Sequence, residues 1–369
     1  MTISSLALTP PMGWSSWNRY GSTVSQEKVL AQARAMVDTG LRDCGYLYVN
    51  IDDGWQGERG GLFNALQGNS RFPNMQGLCD AIHGLGLKVG IYSTPWPRSY
   101  AGFPGSAGHE REDARQWSRW GIDFVKYDWA MNDPDQPSET YVKRIRQAID
   151  ETGSPMVLSL SNTAPISGAP IWSRYANMWR TTGDLTDTWE CLSAIGFGQN
   201  SWKSYAGPGR WNDPDMMVLG VVGWGEPPRP SRLTPDEQVT HMTLWCMLAA
   251  PLILGCDLTR MNDRLRTIVT NPEVIAVDQD PLGVQGHTIH VDGPLEIWIK
   301  PLKRGAKALA FFNRGDSEFT VPVDPRPLGL SGDPLLRDLW ARTPLGRISE
   351  RLELTIRPHG SRLLECFAE

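Results

Sequence analysis

The 369-residue chain reads as an α/β protein, a (β/α)8 TIM barrel over 1–284 followed by a C-terminal antiparallel β-sandwich over 285–369. Three observations predict this. Eight short β-rich apolar runs recur up to residue 257, and helical patterns sit between several of them. After Asp280-Pro281-Leu282-Gly283 the helical patterns stop, and strand-like runs follow one another across turns. Strands alternating with helices imply βαβ units and a parallel sheet. Eight such units in about 280 residues fit a closed ring better than an open doubly wound sheet.

The runs are 12–18, 46–53, 88–94, 124–129, 156–162, 178–184, 210–216 and 251–257. Between the first two, 25–40 puts Val29, Leu30, Ala33, Met36 and Val37 on one helical face and ends on Gly40. The stretch 138–152 does the same with Tyr141, Ile145 and Ile149. The stretch 234–246 opens T-P-D-E, an N-cap followed by Pro and two acids. A dinucleotide fold would need GxGxxG after a strand, whereas Gly84, Gly86 and Gly90 precede one at the wrong spacing. In the tail, LEIWIKPL, KALAFFNR, EFTVPV, RLELTIRP and SRLLECF read as antiparallel strands separated by Pro, Gly and Asp turns.

Charge and composition narrow the function. With 36 Lys+Arg against 41 Asp+Glu the net charge is −5, which argues against binding to a phosphate backbone. No apolar run approaches the roughly 20 residues of a spanning helix, so no membrane partner is expected. The most apolar stretch, 244–255, is a buried element. The start, MTISSLALTPPMGW, shows no basic region followed by an apolar one, and cytoplasmic residence is the expectation. Six cysteines without CxxC spacing read as reduced core thiols. Six histidines without paired spacing offer no metal site. Tryptophan is in excess, 16 residues against nine each of Phe and Tyr. It can fill a core or build flat walls for a ligand with C–H faces and hydroxyl edges, such as a sugar.

In a barrel of this kind the reactive groups lie where strands end. Those ends carry Trp14, Trp17 and Asn18; Asp52, Asp53 and Trp55; Lys126, Asp128 and Trp129; Ser159, Ser161 and Asn162; Arg180 and Asp184; and Trp211, Asn212, Asp213 and Asp215. Buried carboxylates raise one another's pKa and cost stability unless paired or used. A divalent-cation site and glycoside hydrolysis both use acids in this way. The tryptophans beside the acids favour hydrolysis, because aromatic walls suit a sugar and do nothing for a hydrated cation. Lys126 points to the same strand face as Asp128, and its charge is expected to keep Asp128 ionised as a nucleophile requires. Trp129, Trp172, Trp179 and Trp245 are read as core, Met216 and Met217 as packing, and His83 and His109 as surface residues.

The segments PPMGWSSWNRYG, VNIDDGWQ, GLKVGIYST, GIDFVKYDWA, MWRTTGDLTDTWE, GPGRWNDPDMMVLG, LWCMLAAPLILGCDL and VIAVDQDPLG, in this order, resemble glycoside hydrolase family 27, the α-galactosidase and α-N-acetylgalactosaminidase family. The resemblance covers about residues 8–285 and continues more loosely through the tail. It implies a barrel plus an antiparallel β domain, and double displacement with retention at the anomeric carbon. By that resemblance Asp128 is the nucleophile and Asp184 the acid/base. Arg180 holds substrate hydroxyls, Asp52 and Asp53 grip the 4- and 6-hydroxyls, and Lys126 the 3- and 4-hydroxyls. Asp215 lines the pocket and Trp17 forms one wall. No metal and no organic cofactor are implied, and the partner is a small oligosaccharide or glycoside.

The chain departs from the family pattern in two places. After the third strand it reads YSTPWPRSYAG, with Thr94 in place of an acid, Trp96 added and Tyr100 in place of a cysteine. The partner of that cysteine is replaced by Ala130, which by the resemblance removes a disulfide and fits a reducing compartment. At the fifth strand LSLSNTAP puts Ser161 where many α-galactosidases have an acid, with Ala164 three residues on. Specificity is therefore expected at Trp96 and Ser161. The expected activity is exo-hydrolysis of terminal α-linked galactose-type residues. The alternatives are the same mechanism on an α-N-acetylgalactosaminide, a β-L-arabinopyranoside or an α-1,6-glucan, and an inactive sugar-binding barrel.

Overall fold

The computed structural model describes residues 5–128, 138–161, 166–323, 333–347 and 352–367. The eight expected runs all form strands, each shorter than read: β1 Met12–Ser15, β2 Tyr48–Ile51, β3 Lys88–Ser93, β4 Phe124–Asp128, β5 Val157–Ser161, β6 Met178–Arg180, β7 Trp211–Asp213 and β8 Leu252–Leu254. Most of the excess lies at the C-terminal ends, where the chain leaves the sheet into the loops that carry the polar residues, and one or two residues lie before β2, β5, β7 and β8. Every neighbouring pair from β8 through β1 to β7 is parallel. The ring closes between Met217, just past β7, and β8: Met217 N donates to Ile253 O at 2.8 Å and Gly255 N to Met217 O at 3.0 Å. Gly13 is required in β1, because a Cβ there would lie 2.3 Å from the Tyr48 carbonyl oxygen of the adjacent strand.

A longer helix follows each strand: α1 Gln26–Asp38, α2 Met75–Gly84, α3 Glu110–Trp120, α4 Ser138–Asp150, α5 Ala169–Tyr175, α6 Trp189–Phe197, α7 Pro235–Leu248 and α8 Asp263–Val269, with α9 Pro272–Asp278 before the tail and a single turn, Trp17–Tyr20, directly after β1. Ser25 caps α1 through Lys28 N. Thr234 and Glu237 form a capping box on α7 with Pro235 at its first turn, which is why T-P-D-E reads as a start. From Thr240 to Leu248 every residue of α7 is buried. A surface helix would show a polar face; α7 instead lies between the barrel and the tail domain.

The tail contributes β9 His287–Asp292, β10 Leu295–Pro301, β11 Lys307–Asn313, β12 Phe319–Pro322, β13 Leu335–Asp338, β14 Thr343–Arg347, β15 Glu353–Ile356 and β16 Ser361–Phe367. Six of these form one antiparallel sheet in the order β9-β10-β11-β16-β13-β14, and β12 pairs with β15. Alternation along β11 decides what each face meets. Ala308, Ala310 and Phe312 join the barrel's core with Trp298 and Leu363. Leu309 and Phe311 turn the other way into a second core with Ile297, Leu336, Leu354, Ile356 and Leu364. The domain thus has its own core and presses its first face on α7.

Most of the tryptophan excess is core. Trp14, Trp55 and Trp211, which the sequence places beside the acids, are fully buried, as are Trp172, Trp179 and Trp245. Their position is fixed by the indole N–H: Trp14 donates to Cys256 O at 2.7 Å, Trp55 to Tyr92 O at 2.9 Å and Trp211 to Ala7 O at 2.7 Å. Met216 and Met217 are buried, as the packing reading expects. Neither His83 nor His109 is a free surface residue: both are half-buried, and His83 Nε2 meets Asp123 at 2.9 Å. The six cysteines are free thiols. Among the described residues no helix is long and apolar enough to cross a membrane.

Candidate active site

At the C-terminal end of the ring a cavity of about 620 Å³ opens, and all ten residues singled out from the sequence line it: Trp17, Asp52, Asp53, Trp96, Lys126, Asp128, Ser161, Arg180, Asp184 and Asp215. Trp129 and Ala164 lie outside the described residues.

The floor is built from β2, β3 and β4. Asp52, just past β2, receives Ser15 Oγ at 3.1 Å and Lys126 Nζ at 2.7 Å. Its backbone N donates to Ser16 Oγ at 3.0 Å. Lys126 reaches it across the Tyr92 ring, with Nζ 5.6 Å from the ring centre. Asp128, at the end of β4, accepts from Tyr92 Oη at 2.7 Å. Burial pushes the Asp128 pKa up, and Lys126 and the Tyr92 hydroxyl pull against it without cancelling it. Lys126 is the largest of the influences that hold the Asp128 pKa down, the direction the sequence reading expects of its charge, and the Tyr92 hydroxyl comes next. Lys126 makes its ion pair with Asp52, and the direct donor to Asp128 is Tyr92. Burial would lower the Lys126 pKa, but Asp52 and Asp128 outweigh it and raise it, so Lys126 stays cationic.

Asp53 faces the next loop. Its Oδ1 accepts from Gln56 Nε2 at 3.0 Å and its Oδ2 from Ala101 N at 2.7 Å. Burial raises its pKa in spite of these donors. Across the ring, Arg180 at the end of β6 bridges two acids. Nη1 lies 2.9 Å from Asp215 Oδ1, and Nη2 lies 3.1 Å from Asp184 Oδ1. Asp215 has the unusual φ of 96° for a non-glycine residue. Asp215 Oδ2 accepts from Leu185 N at 2.7 Å, and its own N donates to Asp213 Oδ1 at 2.9 Å. Burial raises the Asp215 pKa against Arg180 and carries Asp213 up to about 6.

Asp184 differs from the rest in being open, with a side chain 84% exposed. Asp187, three residues on, is fully buried. Burial would raise its pKa, but Arg229 and Arg232 hold it below the ordinary value. That environment separates the two acids of this loop: Asp187 moors it and Asp184 faces the cavity. Ser161, at the end of β5, stands in register with Asp128. Trp17 and Trp96 are half-buried, and Trp96 packs edge-on against Tyr141 with centroids 5.0 Å apart.

Sequence reasoning missed Tyr92, Tyr100 and Trp224 on the cavity lining. The signal for Tyr92 was available, since Gly90, Tyr92 and Thr94 share one strand face by period-two alternation. Trp224 lies well past the end of β7, in the segment leading to α7, and nothing in the sequence brings it to the cavity. Among the described residues no group of three or more His, Cys, Asp or Glu is arranged to hold a metal ion.

Comparison with known proteins gives a consistent picture. A family model described as alpha galactosidase A matches residues 9–280, and one described as the alpha galactosidase C-terminal beta sandwich domain matches 292–366. The chain is 42% identical to alpha-galactosidase A of Cellvibrio japonicus over 331 residues, covering 86% of this chain and 79% of the relative. Its fold is similar to the crystal structure of α-galactosidase I from Mortierella vinacea, with a TM-score of 0.90, 32% identity, and 99% and 98% of the two chains covered. It is also similar to a family 27 β-L-arabinopyranosidase from Geobacillus stearothermophilus in complex with arabinose, with a TM-score of 0.89, 30% identity, and 100% and 99% covered.

Proposed function

From the premise that this chain belongs to glycoside hydrolase family 27, we propose that it hydrolyses terminal α-linked galactosides with retention, using Asp128 as nucleophile and Asp184 as acid/base. The observation that carries this reading is the contrast between the two carboxyls. Asp128 sits at the floor, fixed by the Tyr92 hydroxyl and flanked by Lys126, while Asp184 stands at the open side beside Arg180. Two acids in different environments are what a double displacement needs.

In the first step an Asp128 carboxylate oxygen bonds to the anomeric carbon as the bond to the leaving oxygen breaks, and Asp184 gives that oxygen its proton. In the second, water adds to the anomeric carbon, Asp184 takes a proton from it, and the ester to Asp128 breaks. Asp52 and Lys126 present an acceptor and a donor to neighbouring sugar hydroxyls, Arg180 and Asp215 do so on the far side, and Trp17 offers an apolar wall. The short Ser161 leaves room beside Asp128 for the substituent at carbon 2.

The test is turnover of p-nitrophenyl α-galactoside by the wild type and by Asp128→Asn, with the variant slower by roughly 10⁴-fold or more. Wild-type inactivity, or activity surviving in the variant, contradicts the reading. One observation favours a second substrate. Both oxygens of Asp53 are already engaged by Gln56 and Ala101, so a β-L-arabinopyranoside, which lacks the 6-hydroxyl, would give up little there. Relative kcat/KM on the two p-nitrophenyl glycosides decides between them.

A further inference from the structure

Asp213, two residues before Asp215, is a buried acid that the two reaction steps leave without a role. It is not on the lining of the 620 Å³ cavity. It lines a smaller one of about 30 Å³ inside the ring, with Asn50, Ser159, Lys126 and Arg180. A sugar in the larger cavity therefore does not meet its carboxyl.

What Asp213 does touch is the backbone of Asp215. Its Oδ1 accepts from Asp215 N at 2.9 Å, a side-chain turn closed across Pro214. Its own carbonyl oxygen is tied to the end of β6 by Thr181 N at 3.0 Å. Pro214 fixes φ between the two acids, and Asp215 follows at φ 96°, a region that a residue with a side chain keeps only when its surroundings hold it there. The turn from Asp213 holds Asp215 at its N–H, and Trp245 Nε1 holds it at its carbonyl at 3.0 Å.

Set at this angle, the Asp215 carboxylate acts on the loop after β6 at two points. Oδ2 accepts from Leu185 N at 2.7 Å, next in the chain to Asp184. Oδ1 lies 2.9 Å from Arg180 Nη1, and Arg180 Nη2 lies 3.1 Å from Asp184. The Asp184 side chain is otherwise open to solvent, so its place depends on these contacts.

We propose that Asp213 is a positioning residue for the proton donor: its carboxyl oxygen locks the Asp215 backbone and, through Leu185 and Arg180, fixes Asp184 at the leaving oxygen. The inference rests on the hydrolase reading above. The lock needs an accepting oxygen at residue 213 and not a charge, so Asp213→Asn keeps it and Asp213→Ala removes it.

The experiment measures kcat/KM on methyl α-D-galactoside and on p-nitrophenyl α-galactoside for the wild type, Asp213→Ala, Asp213→Asn and Pro214→Gly. A nitrophenolate leaves with little help, whereas a methoxide needs a proton as it leaves, so the methyl galactoside reads the placement of Asp184. The ratio of methyl to nitrophenyl galactoside should fall about tenfold or more in Asp213→Ala and stay at the wild-type value in Asp213→Asn. Pro214→Gly loosens the turn and leaves both acids; it should lower the ratio in the same direction, and it carries the test where Asp213→Ala does not fold. Partial unfolding lowers both rates alike and leaves the ratio unchanged. A ratio held at the wild-type value in the variants that break the turn overturns the inference alone, and so does an equal fall in Asp213→Asn, which would assign the effect to the charge. Absence of wild-type turnover on both galactosides overturns it together with the hydrolase reading.

Discussion

The hydroxyl of Tyr92 is the only direct hydrogen-bond donor to Asp128 among the described residues, and it favours the charged carboxylate that attack on carbon requires. A hydrogen bond to a charged group contributes about 1.5–3 kcal/mol, so Tyr92→Phe should lower kcat/KM by roughly tenfold to a hundredfold. Removing the donor raises the Asp128 pKa further above its ordinary value. The acidic limb of the pH–rate profile should therefore move to higher pH in the variant; an unmoved limb would separate Asp128 from that titration. At this scale the sequence showed the acids, because motif and spacing carry them, and hid their partners, because those contacts cross strands. It misread Trp14, Trp55 and Trp211, since adjacent strand residues point to opposite faces and only one of each pair can look into the cavity.

The loop joining β6 to α6 brings Asp184 to the cavity, and its conformation depends on ties outside the reacting groups. Asp187 accepts from Arg229 Nη2 at 3.1 Å, Arg232 N at 2.8 Å and Arg232 Nη2 at 3.0 Å, while Leu185 N reaches Asp215. Asp187→Asn removes the charge that these guanidiniums face. It should lower kcat about tenfold or more through misplacement of Asp184, with KM less affected. Equal loss in both would mean the loop serves binding rather than proton transfer. The T-P-D-E capping box on α7 was legible because its chemistry is local, and Thr234→Ala should cost about 1 kcal/mol in thermal or denaturant unfolding. The strand ends were not legible, since the residues continuing each strand are apolar or polar by the demands of the site.

The two domains meet along α7 and α9, where Lys300 of β10 donates to Cys246 O at 2.7 Å and Arg337 pairs with Glu273 at 2.7 Å. In this joint Asp278 is fully buried, and burial carries its pKa up to about 8, with Lys300 and Gln279 opposing. The unfolded chain releases that proton near pH 4. Between about pH 4 and 8 the folded chain therefore holds more protons, and its stability falls as pH rises through that window and levels off above it. Asp278→Asn should flatten that part of the curve in denaturant midpoints at pH 5 and pH 8; an identical slope in both proteins would assign it to other groups. The order of barrel and sandwich was plain from the change of pattern after residue 283. That one face of the second domain completes the barrel's core was not, because β11 alternates between two apolar faces.

The central proposal is that Asp128 is the group that bonds to the sugar. The most direct measurement is intact-protein mass after incubation with a slowly released fluorinated α-galactosyl substrate, followed by peptide mapping. One added glycosyl residue on the peptide containing Asp128 is the expected result. A label on another residue, or release of inverted sugar without any label, would contradict the account.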